Sequence, residues 1–510
     1  MLDEIDQNKR YMYFSVLIAI FTILPQLVFS PFLLHTLFLA FTFVWLIAIS
    51  KFSRILFAIF ILFINGMNII VGHIAMHWGY ANADLSPRFE TIAVSPKYER
   101  LEYLQSYIDY RDIVLFLYSL FVITLLIIYI RHFRHSYVIV KKVAIGIFLV
   151  LSIAFSPYHD HVEKPEPFSI PSKYLKASTE SVKNHDVLQR KKYLHAHPIT
   201  VGAIQTQMYD KVVLILGESA NKNHMGIYGY KYPTTPFLTS LYQEGKIFRF
   251  NAIAASNQTS YSVPMLLTKA HVNNFQDAFI HSRSLIGDYK AAGYKTFWIT
   301  NQGHRGDTKI VSIADEADTT IFLNAGYYMD VKPDGVIIDT LNNMKENNEK
   351  EFYIIHLIGS HGAYSKRYTQ EVSLYKTPKN MIEEYDNTIY YTDHVIQEIV
   401  HHFEHQKVLI VYVSDHSELI STTENGHGFL PAYKDEYEIP FLVYSHGKNL
   451  RLLNLFEENK QHYFNTEHFE KVVPYLSGLS SELNDLTSSR VITVHSDNVV
   501  DYEKLDYYSQ

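Results

Sequence analysis

The chain has 510 residues, 45 basic and 52 acidic side chains, a formal net charge of −7 and no cysteine. That balance, with no basic tract, argues against a nucleic-acid partner. The absence of cysteine excludes disulfides, thiol catalysis and thiolate metal sites, so any exported part must be stabilised by its core alone.

Five apolar stretches come first, at roughly 11–29, 31–49, 55–76, 113–130 and 137–155. Four approach or exceed the roughly 20 residues that cross a bilayer. The fifth is interrupted by Lys141 and Lys142, whose long stems can carry their charges to the interface. Lys9 and Arg10 precede the first stretch, Lys51 and Arg54 separate the second from the third, and Arg131, Arg134, Lys141 and Lys142 lie between the last two. Positive charge marks the cytoplasmic side, so five crossings leave everything beyond Pro157 outside. The expectation is a transmembrane domain at 1–156, a proline-punctuated linker at 157–209, and an exported domain at 210–510.

Within 210–510, buried-strand patterns at 212–216, 295–300, 351–358, 408–413 and 439–444 alternate with helical ones at 235–244, 282–292 and 382–405. Such alternation predicts an α/β domain with a central, mostly parallel sheet. Two of these strands end in chemistry. The first runs into Gly217-Glu218-Ser219, and the fourth stops at Asp415 and His416. Ligands gathered where strands of an α/β sheet end could surround one divalent cation.

Between these points run Gly217-Glu-Ser-Ala-Asn-Lys-Asn-His-Met-Gly-Ile-Tyr-Gly-Tyr-Lys-Tyr-Pro-Thr-Thr-Pro236, Thr259-Ser-Tyr-Ser-Val-Pro264, Ile358-Gly-Ser-His-Gly362, Tyr385-Asp-Asn387 with Tyr391-Thr-Asp393, Ser414-Asp-His416 and Glu424-Asn-Gly-His-Gly428. In this order, and behind five apolar stretches, they resemble the membrane-bound phosphoethanolamine transferases of the alkaline phosphatase/sulfatase-like superfamily. The resemblance implies that Glu218, Asp415 and His416 hold a catalytic zinc. It implies that Thr259 is the nucleophile, coordinated to that zinc as its alkoxide. His361 and His427 match histidines that line the phosphate site, where a second metal is sometimes placed. Arg305 lies near a basic residue that contacts the substrate phosphate, with surface arginine as the alternative. Glu99 matches a carboxylate that could bind an ammonium, with ordinary interfacial charge as the alternative.

Other residues have plainer readings. Ser219 lacks the Gly-x-Ser-x-Gly setting, since Asn221 replaces the second glycine, and reads as local structure. His224 either backs the site or is a loop histidine. His401, His402 and His405 end a helix, where a positive charge complements the dipole. Glu418 could reach the metal, although in the family pattern that position is usually a spectator. Asn221 stands where the signature usually has Arg, and Ala255 and Met265 stand where lipid A-modifying relatives carry cysteines. The missing disulfides point away from lipid A and towards a core sugar.

The resemblance therefore implies transfer of phosphoethanolamine from phosphatidylethanolamine to lipopolysaccharide through a covalent threonine intermediate. The enzyme would sit in the Gram-negative inner membrane among its lipids, with its catalytic domain in the periplasm. The rivals are a phosphoglycerol transferase using phosphatidylglycerol, and a non-catalytic membrane scaffold. The Tyr-Gly-Tyr and Thr-Thr-Pro segment favours the ethanolamine branch over the first, and the complete ligand set argues against the second.

Overall fold

The structure, a computed structural model, describes residues 117, 120, 121 and 124, then 185–199, 208–303, 308–324, 332–344, 348–447, 449–460, 462–480, 483, 486–494 and 498–509. Apart from those first four positions, the five apolar stretches lie outside the described residues, as do Glu99 and Arg305. Among the described residues no helix is long and apolar enough to cross a membrane. Contacts divide the chain into two compact units, and the one that follows is Thr91–Tyr103 with Ala177–Gln510.

Its strands are β1 (Lys211–Gly217), β2 (Ile247–Ile253), β3 (Lys295–Gly303), β4 (Thr319–Asn324), β5 (Glu351–His356), β6 (Val408–Ser414), β7 (Leu419–Ile420), β8 (Asn425–Gly426), β9 (Glu438–Ser445), β10 (Phe464–Asn465), β11 (Arg490–Ile492) and β12 (Val499–Asp501). One eight-stranded sheet runs in the order β10-β2-β9-β6-β1-β5-β3-β4, and β7 pairs with β8 and β11 with β12. In the large sheet β9 is antiparallel to both β2 and β6, while every other pairing is parallel.

The central strands β1, β5 and β6 are buried along their whole length. Period-two alternation then sorts their side chains to two faces. Val212, Leu214 and Leu216 join one core with the helices Thr259–Leu267 and Phe469–Ser477. Val213 and Ile215 join the other with Ile389, Val395, Ile396 and Phe403 of the long helix Met381–Phe403. That helix starts where the Asn380 side chain accepts the Glu383 N–H, with Glu383 and Glu384 in its first turn and His401 and His402 in its last.

Three features depart from the expectations. β2 was not expected: Arg249 and Asn251 interrupt its apolar run, and only Ile247, Phe250, Ala252 and Ile253 are buried. The strand at 439–444 exists as β9 but runs against its neighbours. The stretch expected to be a linker holds a helix, His185–Ala196, fixed by the buried Arg190. Arg190 donates to the carbonyls of Phe279 and Ser282 and pairs with Glu316 at 2.6 Å. A polar helix held by one buried guanidinium shows no apolar period in its sequence.

Candidate metal centre

The register of β1 on β6 pairs Gly217 with Ser414, so Glu218 and the Asp415-His416 pair leave the sheet at neighbouring points. All three side chains are buried. Asp415 Oδ1 accepts the backbone N–H of His416 at 2.7 Å and that of Ser219 at 3.2 Å. Its Oδ2 is buried without a hydrogen-bond partner and lies 3.4 Å from His416 Nε2. His416 Nδ1 lies 2.9 Å from the Ser417 carbonyl oxygen, which can only accept. Nδ1 therefore carries the proton, and Nε2 turns to the carboxylates, 3.3 Å from Glu218 Oε1.

Thr259 arrives from elsewhere. β2 leads into a helix whose first residue is Thr259, and its hydroxyl donates to Glu218 Oε2 at 3.3 Å. The same Oγ1 is 3.1 Å from His416 Nε2. Ser219 has a left-handed φ of 56°, and its hydroxyl donates to Glu218 Oε1 at 2.8 Å. It braces the carboxylate, in keeping with its reading as local structure.

Burial pushes the Asp415 carboxyl up, and the Glu218 charge adds to that, bringing it to about 7. Burial works against ionised Glu218 as well, but its hydrogen bond to His416 and the nearby imidazoles hold it well below the usual carboxylate range. Burial also opposes a charge on His416, yet the Asp415 and Glu218 carboxylates outweigh it and raise the imidazole to about 10. Two buried carboxylates around one imidazole call for a cation among them. The ligand atoms of Glu218, Asp415 and His416 all lie within 4.8 Å of one another. Two carboxylates and a neutral-capable imidazole, with Asp415 Oδ2 unsatisfied beside them, fit a zinc ion.

His427 and His361 stand beside this cluster, with ring centroids 4.0 Å from His416 to His427 and 6.4 Å from His427 to His361. Burial lowers the pKa of both imidazoles. Glu418 is more than a spectator. Its Oε1 accepts the Tyr364 hydroxyl at 2.7 Å, and its Oε2 grips His427 Nδ1 at 2.8 Å. The β7–β8 hairpin folds the chain back so that these two residues meet. Glu418, His427 and His416 also form a second cluster of metal-capable side chains.

His361 follows β5 in a loop that leaves no room for a side chain at Gly359. With φ at +50°, a Cβ there would lie 2.7 Å from the Glu218 carbonyl oxygen and 2.9 Å from its nitrogen. The Ser360 N–H donates to that same carbonyl at 2.9 Å. Asp334 accepts the N–H groups of Ile358 and Gly359, both at 2.9 Å, and Arg367 Nε donates to the His361 carbonyl at 3.1 Å.

The remaining motif residues hold the scaffold. The Tyr385 hydroxyl donates to the Ser219 carbonyl at 2.7 Å and accepts the Asn221 N–H at 2.8 Å. Asn221 Nδ2 donates to the Glu418 carbonyl at 2.9 Å. His224 Nδ1 lies 2.8 Å from Asp386 Oδ1, and the Tyr230 hydroxyl donates to Asp386 Oδ2 at 3.0 Å. Asp393 accepts the N–H groups of Phe237 and Leu238, so it caps the helix that Thr234-Thr235-Pro236 opens. Gln302, which the sequence did not single out, donates to Glu218 Oε2 at 3.2 Å. Its only signal was its place two residues past the strand predicted at 295–300.

Residues 210–478, a little over half the chain, match the Sulfatase family, and the chain belongs to that family. The phosphoethanolamine transferase EptA of Helicobacter pylori is 29% identical over 252 residues, covering 46% of this chain and 47% of that protein. The chain thus spans about half the length of the curated relatives it matches. The C-terminal periplasmic domain of EptC from Escherichia coli, in complex with zinc, superposes with a TM-score of 0.51 at 22% identity, over 59% of this chain and 95% of that one. The integral membrane lipooligosaccharide phosphoethanolamine transferase A of Neisseria meningitidis superposes with a TM-score of 0.60 at 16% identity, over 92% and 95% respectively. These superpositions show a shared fold.

Proposed function

We propose that the protein is a zinc-dependent phosphoethanolamine transferase of the Gram-negative inner membrane, anchored by five spans, with residues 210–510 in the periplasm. The donor is phosphatidylethanolamine and the acceptor is a core sugar or lipid A of lipopolysaccharide. One observation carries this reading: the Thr259 hydroxyl projects from a helix start into the cluster of Glu218, Asp415 and His416. The similarity to the phosphoethanolamine transferase EptA of Helicobacter pylori supports the choice of group.

Glu218, Asp415 and His416 would hold the zinc, which when bound supplies Lewis-acid activation of the Thr259 oxygen and offsets phosphoryl charge. Thr259 Oγ1 bonds to the donor phosphorus as the bond to diacylglycerol breaks, and the proton that Thr259 gives up leaves on the diacylglycerol oxygen. An acceptor oxygen then bonds to phosphorus as the Thr259 Oγ1–phosphorus bond breaks, and the proton the acceptor gives up restores the Thr259 hydroxyl. Two steps through a covalent threonine suit two lipid substrates that meet the enzyme at different times. His361 and His427 face the phosphoryl oxygens, with Glu418 fixing the second imidazole. Arg305 as a phosphate contact and Glu99 as an ammonium contact belong to the same proposal.

The test is donor turnover without acceptor. Full-length protein in lipid nanodiscs with phosphatidylethanolamine should show phosphoethanolamine on Thr259, and on none of Ser219, Ser260 or Ser262, by peptide mass analysis. Thr259→Ala should lose the adduct and Ser219→Ala should keep it. An adduct on Ser219, or one formed only with phosphatidylglycerol, would refute the reading.

A further inference from the structure

Gln302 lies in β3, two strands from β1 in the sheet, and reaches past the end of β5 to the cluster. Its Nε2 is 3.1 Å from the Leu357 carbonyl oxygen, 3.2 Å from Glu218 Oε2 and 3.3 Å from His356 Nε2. A backbone carbonyl and a carboxylate can only accept, so the group facing them is the amide nitrogen, and the orientation of the side chain is settled. Glu218 Oε2 is also the oxygen to which Thr259 donates. One carboxylate oxygen therefore takes hydrogen bonds from the nucleophile and from an amide anchored to the backbone of a neighbouring strand segment. Ser219, from the other side, holds Oε1 at 2.8 Å.

We infer that Gln302 is a positioning residue, which fixes the rotation of the Glu218 carboxylate and so sets both the strength of the cation site and the alignment of Thr259. This rests on the zinc-dependent reading above. A ligand carboxylate with both oxygens hydrogen-bonded is held in one rotamer. Without the amide, the carboxylate is held through Oε1 alone, by Ser219 and His416, and Oε2 keeps among the described contacts only the hydroxyl it is meant to align. A donor on a strand is better placed for this than one on a loop. Removing such an outer partner of a metal ligand typically weakens metal affinity about 10–100-fold.

The experiment uses the full-length protein and zinc itself. Zinc affinity is measured by competition with a chromophoric chelator, and thermal unfolding is followed with zinc and with excess chelator. Gln302→Met removes the donor at similar volume, and Gln302→Leu removes it with another uncharged side chain. Both variants should bind zinc about 10–100-fold more weakly. Both should unfold with the parent under chelator and below it with zinc. Either variant alone suffices if the other does not fold. Parental affinity in both, or equal loss of melting temperature with and without zinc, would make Gln302 structural only and overturn the inference while the function stands. If the parent shows no zinc binding that Glu218→Ala removes, both the function and the inference fall.

Discussion

The two ends of the central strands solve charge burial in opposite ways. At their start, Lys211 of β1 and Glu351 of β5 are adjacent in register and paired at 2.6 Å, and the Tyr353 hydroxyl also donates to Glu351. One cation meets one anion, and Lys211 Nζ also donates to the Glu349 carbonyl at 2.9 Å. At their finish, Glu218 and Asp415 share a single imidazole, and Asp415 Oδ2 has no hydrogen-bond partner. Both ends are dry, so burial does not separate them. The surplus of negative charge does, and a buried surplus is what a functional site looks like. Glu470 shows a third solution. Burial pushes its carboxyl up to about 7, even with Lys471 Nζ 4.0 Å away, so near neutral pH it takes up a proton in part.

The comparison can be broken most visibly at the finish of the strands. Asp415→Asn or Glu218→Gln should cut transfer on the order of 10⁴-fold or more. The same variants, under chelator, should unfold no lower than the parent, because the surplus charge is gone. Calorimetry showing a large loss in the chelated state would mean the cluster was a structural network after all. At the start of the strands, Lys211→Met should cost about 3–5 kcal/mol in denaturant unfolding, since it leaves Glu351 without its cation. Zinc affinity should not change.

Gly359→Ala sharpens the contrast from the backbone side. It forces a Cβ against Glu218 at a left-handed φ, and should cost about 1–3 kcal/mol together with a measurable fall in zinc affinity. The smallest effect is at Glu470. A carboxyl whose folded pKa of about 7 exceeds its ordinary 4.5 takes up a proton on folding between those values. Its contribution is complete below the lower value and lost as pH rises through the upper one. Between pH 5 and 8 the parent should therefore lose roughly 1–2 kcal/mol more stability than Glu470→Gln, as read from urea midpoints.

What the sequence made legible follows from these physics. Glu218 and the Asp415-His416 pair could be found because each ends a run buried on both faces, where apolar composition is unambiguous. Thr259 could not be found that way: it opens a helix after the half-exposed β2, and only the family's motif order marks it. Glu418 and His427 are both visible, but their contact depends on the short β7–β8 hairpin, which carries no periodic signal. Gln302 needs the sheet order to bring β3 beside β5, and strand order is set by packing rather than by local pattern. The reversal of β9 was hidden for the same reason, since a buried strand reads alike in either direction.

The helix His185–Ala196 bears on where this half of the molecule becomes self-sufficient. The sequence places the domain's beginning near residue 210, at the first strand, yet Arg190 supplies the donors for two carbonyls and the counter-charge for Glu316. A chain starting at 210 would open those acceptors to water and strip Glu316 of its counter-charge. The compact unit therefore begins before its homology boundary, and the helix is a keystone laid before the arch begins.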